Sequence, residues 1–244
     1  MNKKVPQTLI LFVLLISGIK NTYSQKHVET QNVLWTRYYL KVKLNDNYHI
    51  KEEIDTRKYL FPWRQNQFLT RTLIERKLTP NWSISTGMAY SHIATPNDPD
   101  SPITGNFSEL RPLIELTYNQ KLSSKYILNH RYWSEFRFFE QPDDTFDFST
   151  CRMRYKLELN YAPNTKITFK AFDEIFLNIG GQTTKLFDQN RYGLSAQYMP
   201  LKNLGFELGY LNWYQKRASG IDFYNRHLVR LTIHQTINLK KQKT

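Results

Sequence analysis

"VLWTRYYLKVKL", residues 33–44, changes character at every second residue. Its even positions are Leu34, Thr36, Tyr38, Leu40, Val42 and Leu44, whereas the odd positions include Arg37, Lys41 and Lys43. A period of two belongs to an extended strand with one apolar and one charged face; a helix repeats about every 3.6 residues. "NDN" at 45–47 supplies a tight turn, and the alternation resumes directly after it. His49, Lys51, Glu53, Asp55 and Arg57 then oppose Tyr48, Ile50 and Ile54.

The pattern recurs near 67–78, 82–93, 108–122, 126–139, 149–161, 166–179, 191–199, 204–216 and 226–239, which makes eleven predicted strands in all. Short turns ("NDN", "TPN", "SSK", "APNT", "PLKN") alternate with longer loops such as "ATPNDPDSPITGNF" and "GGQTTKLFDQN". A meander of long strands with short turns at one end and long loops at the other is the plan of outer-membrane barrels. Tyr and Trp near the segment ends (Trp82, Tyr90, Tyr118, Tyr126, Tyr161, Tyr198, Tyr210, Tyr214) fit an interfacial girdle. The expected fold is all-β, an antiparallel up-and-down transmembrane β-barrel of about 10–12 strands. Bacterial single-chain barrels normally have an even number. Eleven strands therefore implies a parallel seam between the first and last, or a strand hidden within 178–192.

Periodicity does not say which face is inside. A soluble, lipocalin-like carrier would line a cavity with the apolar face. A membrane barrel would turn that face to lipid and fill its lumen with charge. Strand length favours the membrane, and so does the width of such a barrel, which apolar side chains would not fill. The lumen would then hold Arg37, Lys41, Lys51, Glu53, Asp55, Arg57, Arg71, Glu75, Glu109, Arg111, Glu115, Arg131, Glu135 and Arg137. The later strands add Arg152, Arg154, Lys156, Glu158, Lys170, Glu174, Arg191, Glu207, Arg226 and Arg230. Basic groups outnumber acidic ones, and buried charges must pair. Two outcomes follow: an Arg–Glu network that plugs the barrel, or a narrow water-filled path that attracts small anionic solutes. Three residues break the pattern. Glu52 and Asp173 lie on the apolar face, and Pro112 removes a ladder hydrogen bond inside a strand. A β-bulge is the expected explanation.

Residues 1–25 read as a secretory signal peptide. Lys3 and Lys4 precede the apolar run "TLILFVLLIS" (8–17), with cleavage expected after Ser24 or Gln25. Residues 26–244 are expected to form one barrel domain; the 8–17 run is too short to span a bilayer and no second long apolar segment follows, so no transmembrane helix is expected. Removal of the leader, with Lys3, Lys4 and Lys20, lowers the formal charge from +13 to +10. For an exported chain this excess points to outer-membrane lipid, lipopolysaccharide or anionic solutes and away from nucleic acid. The location expected is the outer membrane of a Gram-negative bacterium. The single cysteine, Cys151, excludes an internal disulfide and a Cys-based metal cluster.

No catalytic constellation emerges, and no enzyme activity, metal or cofactor is expected. "NHRYWSEFRFFE" (129–140) resembles a site until parity divides it: His130, Tyr132, Ser134, Phe136 and Phe138 face outward, while Asn129, Arg131, Trp133, Glu135 and Arg137 face the lumen. His130 and Ser134 would stand roughly 13 Å apart, too far for a dyad. The histidines (27, 49, 92, 130, 227, 234) lack ligand spacing. "NIGGQTTK" (178–185) lacks the full phosphate-loop pattern, and "NDPDSP" (97–102) lacks the spacing of a calcium loop. A barrel-borne enzyme acting on lipid or lipopolysaccharide is the alternative from another class.

Three stretches carry a family resemblance: "SELRPLIELTYNQKLSSKYILNHRYWSEFRF" (108–138), "RMRYKLELNY" (152–161) and "DEIFLNIGGQTTKLFDQNRYGLSAQYMPLKNLGFELGYLNWYQ" (173–215). In order and spacing they resemble domain of unknown function 2490, a family thought to form outer-membrane β-barrels. The matching elements are Glu109 with Arg111; Arg131, Glu135 and Arg137; Asp173, Glu174 and Phe176; Phe187, Asn190 and Arg191; and Gly209 with Tyr210. The resemblance implies a barrel assembled by the outer-membrane machinery, and brings no established activity. It adds Asn190 to the expected lumenal set of Glu109, Arg111, Arg131, Glu135, Arg137, Arg152, Arg154, Glu174 and Arg191, with Arg131, Glu135 and Arg137 expected to pair with Glu109 and Arg111. Pro112 and the tail "INLKKQKT", which lacks a terminal aromatic, depart from the expected pattern.

Overall fold

Strand after strand runs antiparallel to the last until the final one meets the first in parallel. The computed structural model describes residues 26–239 apart from 95–97, 101, 103, 104, 182, 184 and 218; the expected leader lies outside the described residues, as do parts of "NDPDSP" and "NIGGQTTK". The strands are β1 (Val28–Lys43), β2 (Tyr48–Tyr59), β3 (Arg64–Lys77), β4 (Trp82–Ile93), β5 (Phe107–Lys121) and β6 (Tyr126–Glu140). They continue with β7 (Phe146–Tyr161), β8 (Ile167–Ile179), β9 (Phe187–Tyr198), β10 (Leu204–Lys216) and β11 (Phe223–Asn238). Together they form one closed barrel.

Closure is made by a parallel β1–β11 seam running from Val28↔Phe223 to Lys43↔Asn238 without a slip. The odd count is therefore real, and no further strand lies in the described part of 178–192. Arg226 Nε donates to Gln31 Oε1 across the seam at 2.7 Å, and Arg217 pairs with Glu29 at 3.3 Å.

Four of the five short turns share one device. A side-chain oxygen at the turn's first residues (Asn45, Thr79, Ser123, Asn164) accepts the backbone N–H groups two and three residues on. This is the Asx/ST-turn chemistry for which Asn, Ser and Thr are selected. At the long-loop end several strands begin earlier than periodicity predicts, β3 at Arg64 and β9 at Phe187. There both faces are polar, so pairing continues where the alternation fades. Register shifts at Arg57/Lys58, Arg137/Phe138 and Phe176/Leu177 all fall near this end.

The charged face is the inner one. Asp55, Glu109 and Glu135 are fully buried, whereas Ile114, Leu194 and Leu208 stand 47%, 65% and 58% exposed on the outer wall. An apolar ligand cavity of the lipocalin kind is thus not what the chain builds. Large apolar side chains stay exposed on every strand, far beyond the isolated patches of soluble monomers. Trp82 stacks on Tyr118 and Tyr126 on Tyr161 at the short-turn end, with centroids 4.6 and 4.8 Å apart.

The three pattern-breakers need no bulge. Glu52 accepts from Thr70 Oγ1 at 2.8 Å and from the Thr72 hydroxyl, and Asp173 accepts from Asn190 Nδ2 at 2.8 Å. Neighbouring strands thus satisfy these outer carboxylates without a change of register. Around Pro112 the β5–β6 pairing lapses between Leu110↔Phe138 and Leu113↔Glu135, then resumes in the same register.

Candidate functional site

Room for long side chains in the lumen comes from small residues on the inward face. The inward face of β4 is Ser83, Ser85, Gly87, Ala89 and Ser91; β9 and β10 add Gly193, Ser195 and Gly209. A Cβ on Gly87 would lie 2.0 Å from the Thr72 carbonyl oxygen, so the two strands approach too closely for any side chain there. Into this space project Trp35, Trp133, Phe176, Trp213 and the lumenal arginines. Parity alone places Trp133 there, and the others share a face with Arg37, Glu174 and Gln215, a signal present in the sequence.

Most of the lumenal acids serve more than one base. Glu135, on β6, lies directly opposite Arg152 on β7 and accepts from Arg152 at 2.5 Å and Arg154 at 2.9 Å. Glu174 Oε1 accepts from Arg154 at 2.7 Å and Arg131 at 2.9 Å. Glu109 holds Arg111 at 2.6 Å and Arg137 at 2.5 Å. The network continues from Arg152 to Asp188 at 3.3 Å, and from Glu115 through Lys51 to Glu75 at 2.6 and 3.1 Å. The expected pairing of Arg137 with Glu109 is present. Glu135 and Arg131 instead reach β7 and β8, because the hairpin register sets Glu135 opposite Leu113.

Asn190 is not lumenal. It neighbours Arg191 in a strand, so it faces outward, and its amide bonds Asp173 on the outer wall. Glu109, Arg111, Arg131, Glu135, Arg137, Arg152, Arg154, Glu174 and Arg191 are all inside. On the outer wall His130 Nδ1 meets Tyr155 Oη at 2.9 Å and Ser134 Oγ donates to Met153 Sδ at 3.2 Å, so the two are not brought together.

Aromatic rings occupy the space between guanidiniums. Arg154 stands 4.0 Å from the Trp133 ring and 4.3 Å from Phe176. Arg57 lies 4.0 Å from Trp35, and Arg191 4.2 Å from Trp213. Such stacking helps desolvated cations that lack a full set of anionic partners. A cavity of about 240 Å³ remains, lined, among the described residues, by eleven arginines and Lys156 against only Glu53 and Glu174. The other lumenal carboxylates do not line this cavity, so the surface facing it is basic. No group of His, Cys, Asp and Glu among the described residues is arranged to hold a metal.

A closed, all-β barrel with an apolar wall and a charged interior defines a porin-like architecture. A solved structure described as the NanC porin in a rhombohedral crystal form superimposes with a TM-score of 0.51 at 13% identity, covering 82% of this chain and 96% of that one. That likeness is one of fold. The chain belongs to the family described as protein of unknown function, DUF2490, whose model matches residues 32–225. No curated protein matches it.

Proposed function

We propose that the protein is a non-catalytic barrel of the Gram-negative outer membrane whose narrow, basic lumen admits small anions. The observation that carries this reading is the composition of the cavity surface: twelve cationic side chains against two carboxylates. Such a surface concentrates anions and repels cations. The membrane location is supported by the exposed apolar wall and by strands of 12–16 residues, long enough to cross a bilayer when tilted. On this reading the leader directs export, the barrel-assembly machinery inserts the chain, lipid and lipopolysaccharide contact its wall, and small anionic solutes enter its lumen.

A second reading, a plugged structural barrel, is favoured by one cluster. Trp133 is buried among Arg71, Arg131 and Arg154, whose guanidiniums lie 4.4, 4.6 and 4.0 Å from its ring. Purified protein in a planar bilayer separates the two. Discrete conductance steps are expected; a silent membrane containing verified, folded protein rejects the channel and leaves the plug. Recovery in the soluble fraction without detergent would reject both.

A further inference from the structure

The buried polar atoms without a partner in the protein are strongly biased in kind. Among the described residues nine are N–H donors, on Trp35, Arg57, Arg71, Arg111, Arg131, Trp133, Gln189, Arg191 and Arg230, and every one of these residues borders the central cavity. The deficit is one of acceptors. It is deepest where Arg57 and Arg191 converge on Trp35 and Trp213. Arg191 lies 5.8 Å from the Trp35 ring and 4.2 Å from Trp213; Arg57 lies 4.0 and 5.7 Å from the same two rings.

Neither guanidinium has a carboxylate to itself. Arg191 forms no ion pair with any described residue, because Glu174 beside it is taken by Arg131 and Arg154. Among carboxylates Arg57 reaches only Asp55, at 3.6 Å, which Arg37 already grips through two bonds of 2.7 and 3.1 Å, and its other bond goes to the neutral Gln67 Oε1. Arg226, 4.6 Å from Trp213, donates to the neutral Gln31 and Gln215. Gln189 uses its carbonyl oxygen for the Trp213 indole N–H, which leaves its amide N–H₂ as another free donor. Trp35, Arg57, Gln189 and Arg191 are each more than nine-tenths buried.

From this convergence we infer that Arg57 and Arg191, with Trp35 Nε1 and Gln189 Nε2, form a binding site for a phosphate-class oxyanion inside the barrel. The inference rests on the basic lumen proposed above and names what that lumen holds. Several donors lining one cavity from β1, β2 and β9 offer more hydrogen bonds than the two oxygens of a monocarboxylate accept. A tetrahedral, multiply charged anion uses them all.

Equilibrium dialysis of the full-length, detergent-solubilised barrel against radiolabelled inorganic phosphate tests this, with acetate as competitor. Saturable binding of one phosphate per barrel is expected, about tenfold weaker in Arg191→Gln, with acetate a poor competitor. Arg76→Gln, at the exposed short-turn end, serves as the charge-matched control. Should Arg191→Gln fail to fold, Arg191→Lys keeps the charge but loses the planar fork, and intermediate affinity is expected. Binding that does not saturate, that is unchanged in the Arg191 variants, or that acetate displaces as well as phosphate does would overturn the site. Binding without conductance would sink only the channel, and anion-selective conductance without binding would sink only the site.

Discussion

Glu174 and Arg191 are direct cross-strand neighbours on β8 and β9, yet they form no ion pair. The carboxylate accepts instead from Arg131 and Arg154. Acids are scarcer than bases in the lumen, so most are shared, and the surplus guanidiniums settle on aromatic rings at the cavity. The same shortage both stiffens the interior and leaves it positively charged.

Glu135, fully buried, is the carboxylate that Arg152 and Arg154 share. Glu135→Gln removes the carboxylate from both Arg152 and Arg154, and losing one side of a buried ion pair costs about 3–5 kcal/mol. Urea unfolding of the barrel in lipid vesicles should show a loss of this size. Glu29→Gln, at the half-exposed Arg217 pair, should cost less than about 1 kcal/mol. Equal effects would show that the lumenal pairs are not special.

Ile114, midway along β5 and 47% exposed, reports on what surrounds the wall. Ile114→Arg is expected to lower stability by about 2–4 kcal/mol in a bilayer, the cost of arginine near the midplane of a barrel's lipid face. On a water-exposed wall the change would stay within about 0.5 kcal/mol. Unfolding titrations in vesicles distinguish these values.

Gly87 tests the close approach of β3 and β4. With the Thr72 carbonyl 2.0 Å from any added Cβ, Gly87→Ala should destabilise by about 1–3 kcal/mol through overpacking. The measurement is the folded fraction on heat-modified gel migration. Ser85→Ala, two residues along on the same face, should leave that fraction almost unchanged.

Much of this was legible in the chain. Period two separates the faces of "NHRYWSEFRFFE" and puts Arg131, Glu135 and Arg137 inside with Glu109, Arg111, Arg152, Arg154, Glu174 and Arg191, as the structure has them. Which charge meets which was not legible, since parity gives a face but not a register. Glu135 meets Arg152 only because the β6–β7 hairpin sets them opposite. Asn190 illustrates a different limit: adjacency to Arg191 in a motif put it in the wrong compartment, although parity alone would have turned it outward. Glu52 and Asp173 look like register faults until the threonines and asparagine on neighbouring strands are known. The small inner face of β4 is visible in "WSISTGMAYSHI", but its meaning depends on the bulk of Trp133 and Arg71 from other strands.

Ion selectivity should weaken with salt. Screening shortens from about 30 Å at 0.01 M to about 3 Å at 1 M, so fixed lumenal charge governs permeation most at low concentration. The ratio of chloride to potassium permeability should therefore fall as both solutions are concentrated. A ratio that does not change with salt would point to selection by size alone.

The reversal potential of the reconstituted barrel under a potassium chloride gradient tests the central claim most directly. A basic lumen predicts a potential displaced toward the chloride equilibrium value, and a smaller displacement when Arg57 and Arg191 are both replaced by glutamine. A potential displaced toward the potassium value would contradict the account.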